Sequence, residues 1–163
     1  MDNRAKSLAW HETLELHELI ASNATCLFKL KKTIGSVTEP ELKNLYKVSI
    51  QTIEGNLQEL LPFISDIQGA RDEEEDRQDH TGFYAGELLG TAKSSVKNYA
   101  TAITETATPQ LREVLTKQLM GAIRWHETIF NYMHKKGMYP AHDLKALLSN
   151  DVKNAKTAIN LNY

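Results

Sequence analysis

The stretch Thr108–Gly137, TPQLREVLTKQLMGAIRWHETIFNYMHKKG, reads from end to end as one helix. Thr108 offers a hydroxyl cap and Pro109 takes the first helical position, where its missing N–H would have no intrahelical partner anyway. From there Leu115, Leu119, Ala122, His126, Ile129 and Met133 recur at steps of three and four, so they share one face. Gly137 supplies the stop signal. The reading predicts a helix over 109–136.

Working outward, the same period predicts helices over 8–34, 39–67 and 81–107. The first carries Leu16, Ile20, Leu27, Leu30 and Ile34, with Trp10, Leu14 and Phe28 on an adjoining line. The second carries Leu42, Tyr46, Ile53, Leu57, Leu60 and Ile64, and Pro62 should kink its last turns or end it early. The third carries Leu88, Leu89, Ala92, Val96, Tyr99 and Ile103, and its Gly82, Gly86 and Gly90 stand four apart, as close helix approach would require. Thr38 and Glu41 have capping-box spacing with Pro40 between them, which predicts a helix start near Glu39. Between Gly69 and His80 the run Asp72-Glu73-Glu74-Glu75-Asp76 is too charged to bury and should be an exposed connection. After Pro140, Leu144, Leu148, Val152, Ala155 and Ile159 predict a short amphipathic helical tail over 140–160.

Four long helices with two short connections and one long one suit an all-α fold. The arrangement expected is a ferritin-like antiparallel four-helix bundle, a single domain over 1–163, with a long crossover between the second and third helices; up-and-down topology, with the acidic loop bulging outward, is the alternative. Composition agrees. Of 163 residues, 19 are basic and 21 acidic for a net charge of −2, and 41% are apolar, enough to fill a core. The single Cys26 has no partner for an internal disulfide and is expected to be a small buried side chain. No signal peptide or membrane span is legible in the sequence, and no basic patch suggests nucleic acid, so a soluble protein of the cytosol is expected. Charge is uneven, −6 over 1–109 and +4 over 110–163, a pattern that opposed surfaces in self-association would use.

Bundles of this shape hold two metal ions when Glu and Glu-x-x-His face one another across the core. None of the six histidines has a glutamate three residues before it, so that signature is absent. What remains is Trp-His-Glu-Thr twice, at 10–13 and 125–128, and a further His-Glu pair at 17–18. The residues that an incomplete metal site would have to use are Glu12, His17, Glu54, His126 and Glu127. Their preferred reading is a His/Glu hydrogen-bond network in the bundle interior, with no catalytic residue, no cofactor and no metal; a Fe, Mn or Zn site, or an oxidoreductase built on it, is the alternative.

Across the third and fourth helices the residues take on a family character. The run Ala92-Lys93, Asn98-Tyr99-Ala100 and Ala102-Ile103-Thr104-Glu105-Thr106-Ala107-Thr108-Pro109 continues through Arg112, Gln118-Leu119, Ala122-Ile123 and His126-Glu127. It ends on Ile129-Phe130, Tyr132-Met133, Lys135-Lys136-Gly137 and Tyr139-Pro140. This closely resembles the spore coat protein F family of endospore-forming bacteria, strongly from Ala92 to Pro140 and more loosely over most of the chain. The resemblance implies a ferritin-like helical fold and a structural, non-enzymatic component of the spore coat, synthesised in the mother-cell cytoplasm. It implies partners among other coat proteins or copies of itself as a homo-oligomer, and it brings no catalytic residue with it.

Overall fold

A computed structural model describes residues 8–65 and 79–163. Five α-helices follow one another: α1 over Trp10–Thr33, extended by a 3₁₀ turn at Ile34–Ser36, α2 over Pro40–Ser65, α3 over Thr81–Glu105, α4 over Pro109–Lys135 and α5 over Leu144–Asn160. No strand occurs among the described residues, and the protein is all-α. The crossover expected between Gly69 and His80 lies, apart from its last two residues, outside the described residues.

The helices group into two compact units, one containing α1, α2 and α5 and the other the α3–α4 hairpin. In the first unit, Leu16, Ile20, Ala24, Leu27 and Phe28 form the buried line of α1 at helical spacing. α1 packs against both α2 and α5, whose buried apolar residues include Ile50, Leu57 and Ile64 of α2 and Leu147, Leu148, Val152, Ala155 and Ala158 of α5. Ala155 and Ala158 have no accessible surface, so the small side chains let α5 lie close in. The segment after Pro140, expected to be a tail, is therefore a core helix of this unit. On α2 the buried line runs through Ile50, whereas Leu42 is exposed, a correction to the expected face.

Local signals explain where these helices start and stop. The Glu12 carboxylate accepts the Ala9 amide at 2.8 Å and closes the first turn of α1. At α2 the cap is Glu39, not the expected Thr38. Its carboxylate accepts the Glu41 amide at 3.0 Å and that of Leu42 as well, and these bonds hold its pKa below the usual carboxylate value. Pro62 lies inside α2, which continues to Ser65, so the early end does not occur there. The Asp143 side chain accepts from the Ala146 amide at 3.0 Å and begins α5.

In the second unit, Ala85 and Ala92 of α3 pack with Ile129 and Met133 of α4, and Leu89, Met138 and Tyr139 border them. α4 begins at Pro109 as expected, but α3 ends at Glu105, two residues earlier than expected, and the Thr108 hydroxyl makes no capping bond. Instead Pro109 sets the first turn and the Arg112 guanidinium donates to the Thr106 carbonyl. Nothing lies within 4 Å of a Cβ built at Gly82 or Gly90, so these two glycines are not points of close approach; alanines 85 and 92 take that role. Gly137 ends α4 at φ +72°, with Met138 N–H donating to the Met133 carbonyl at 2.9 Å and Gly137 N–H to that of His134 at 3.0 Å. That is the Schellman pattern, which needs a left-handed residue at this point.

Candidate functional site

The polar chemistry of the first unit sits where α5 docks. His17 of α1 and Asp151 of α5 are both buried, and Nδ1 of the imidazole stands 2.6 Å from the Asp151 carboxylate. Burial raises the Asp151 pKa; the hydrogen bond and charge of His17 pull it down, and the nearby Glu18 adds to the rise. Asp151 projects inward because it lies one turn after Leu147 and Leu148 and one turn before Ala155, on the same buried face.

A second polar contact holds the far end of the same helix. The Lys31 side chain is 1% exposed, and its ammonium lies 2.6 Å from Glu54 of α2. It also donates to the Ile159 carbonyl at 2.6 Å, satisfying a backbone acceptor in the last turn of α5. The Tyr163 ring stands 5.4 Å from the same ammonium, within cation–π range. A buried ammonium is tolerated only with partners of this kind, and here they join three segments at one atom.

The five residues singled out in the sequence are placed as follows. Glu12 is exposed and caps α1. His17 is buried against Asp151, and Glu54 pairs with Lys31. His126 is half-buried on α4 and Glu127 is exposed there. Where Glu and His side chains were expected to meet one another, His17 meets an aspartate and Glu54 a lysine. Among the described residues, no group of three or more His, Cys, Asp or Glu stands together to hold a metal ion. Cys26 is exposed rather than buried.

Sequence reasoning missed Asp151 and Lys31, although a signal was present. Lys31 continues the apolar line of Ala24, Leu27, Phe28 and Ile34, and Asp151 interrupts that of Leu148, Val152 and Ala155. A charged residue on a buried stripe calls for a partner.

This chain is thus an all-helical protein whose described polar clusters join helices to one another. Its family is identified by the other unit: the Coat F domain matches residues 82–142, spanning nearly all of α3, the whole of α4 and the turn beyond. The spore coat protein F-like protein YraD of Bacillus subtilis (strain 168) is 42% identical over 77 residues, which cover 47% of this chain and 78% of that protein. The chain belongs to the spore coat protein F-like family. No solved structure matches it. No helix among the described residues is long and apolar enough to cross a membrane.

Proposed function

We propose that this protein is a structural, non-enzymatic component of the spore coat, made in the mother cell, which works by packing its helix faces against coat proteins. The carrying observation is its family membership, located on a hairpin that offers apolar side chains to a partner. Leu88, Val114 and Trp125 are among the large apolar residues left exposed on α3 and α4. In this reading the helices have the ferritin-like arrangement that the family resemblance implies. Helix capping by Glu12 and the partners of His17 and Glu54 support structural roles for these groups.

The test is a tagged copy expressed from its own promoter in a sporulating host. The protein should fractionate with the detergent- and reductant-extracted coat of purified spores and be accessible from outside after mild stripping. Recovery only from the mother-cell lysate or the spore core would overturn the reading. Elemental analysis supplies a second arm. Near-stoichiometric iron, manganese or zinc that disappears in a Glu54→Ala/His126→Ala variant would replace it with the metal-binding alternative.

A further inference from the structure

The hairpin buries Phe83, Ala85 and Ala92 of α3 and Ala122, Ile129 and Met133 of α4, while large apolar residues beside them stay exposed. Each helix turns through about 100° per residue, so the residues flanking the facing lines Ala85–Ala92 and Ala122–Ile129 can be placed. Tyr84, Leu88 and Tyr99 of α3 and Val114, Trp125 and Tyr132 of α4 all fall on one side of the antiparallel hairpin. Pairing across the corner sets Tyr84 beside Tyr132, Leu88 near Trp125 and Tyr99 beside Val114. The result is one apolar stripe along the hairpin.

Five of these six are 40–55% exposed and Tyr99 is partly so. With aromatic side chains carrying ~150–250 Å² each, the stripe presents on the order of 500 Å² of apolar surface. A standard protein interface buries about 800 Å² per partner, of which roughly 56–65% is apolar, so the stripe has the area of one such interface.

Charge at the edges selects the occupant. On this side of the hairpin the outer edge of α4 carries Lys117, Arg124 and Lys135, and the outer edge of α3 carries Glu87 and Glu105. Two copies related by a two-fold axis parallel to the helices would lay each α3 over the partner's α4. Basic edge then meets acidic edge twice, and all neighbouring helices run antiparallel.

We propose that the α3–α4 hairpin pairs face to face with the same hairpin of a second copy, forming a four-helix bundle across a two-fold axis. This deepens the packing reading above by naming the partner. It is measured on purified protein, so its failure is distinct from a failure to reach the coat.

The experiment is light scattering coupled to size exclusion on the full chain at micromolar concentration. Wild type should run at twice the 18.4 kDa chain mass. Trp125→Glu should weaken the dimer at least tenfold with helicity by circular dichroism retained. Lys117→Glu/Arg124→Glu, and separately Glu87→Lys/Glu105→Lys, should each be monomeric alone, because the altered positions then face like charges across the edge. An equimolar mixture of the two should recover a dimer, since both edge contacts are then of opposite sign. A monomeric wild type, a dimer indifferent to all three variants, or no recovery on mixing would overturn the proposal.

Discussion

The two units solve the problem of helix burial in opposite ways. The α1–α2–α5 unit hides Ile20, Leu27, Ile50, Leu57 and Ile64 completely and invests its buried charges in holding a third helix. The α3–α4 hairpin buries Phe83, Ile129 and Met133 together with three alanines and leaves Tyr84, Leu88 and Trp125 among the large apolar residues at its surface, yet it is the part that identifies the family. The first unit therefore concentrates stability in its core, and the second holds contact surface in reserve.

The largest expected effect tests that contrast directly. Leu57→Ala, in a fully buried site, should lower unfolding free energy by about 2–5 kcal/mol in urea titration. Met120→Ala, at an exposed position on the hairpin, should stay within about 0.5 kcal/mol. Equal losses would erase the distinction. Next comes Lys31→Ala, which strips the Ile159 carbonyl and Glu54 of their shared donor and should cost about 1–3 kcal/mol, with raised amide exchange in α5 ahead of α4. Uniform exchange across both units would argue that the contact does not hold α5 in place. Gly137→Ala forces a Cβ into a left-handed turn and should cost about 1–2 kcal/mol, read as fraying of the last turn of α4.

The smallest effect sharpens the picture of the His17–Asp151 contact. Burial raises the Asp151 pKa from its ordinary 3.8, so the folded state holds the proton more tightly than the unfolded chain. Stability from this source is fully present below 3.8 and is lost as pH rises through the raised folded value. The stability of wild type relative to Asp151→Asn should therefore fall with rising pH across that window in parallel melts. A difference that is flat or grows with pH would contradict the burial-driven shift.

How much of this was legible beforehand differs by feature. Helix limits are legible to within about two residues for α1 to α4, whereas α5 begins at Leu144, four residues after the expected start. Pro109 and Gly137 bound α4 close to the expected limits, and the repeating apolar residues marked α1 and α3 as clearly. Capping was read less well. At α2 the expected Thr38 cap lost to Glu39, whose longer carboxylate reaches two amides at once. Among the site residues, His17 pairs with Asp151 and Glu54 with Lys31, contacts between helices that the helical period alone does not specify. Asp151 stands 134 positions from His17 in the chain, and no local pattern links the two.

The amino-acid order alone determined the helices, because capping, proline and glycine effects and the three-four apolar period act within a turn or two of the chain. Tertiary packing alone decided that α5 is a core helix, that Asp151 and Lys31 are its anchors, and that the hairpin keeps Trp125 and Leu88 outside. Those outcomes depend on which faces meet and on whether a buried charge finds its counterpart, and both are settled only when distant segments come together.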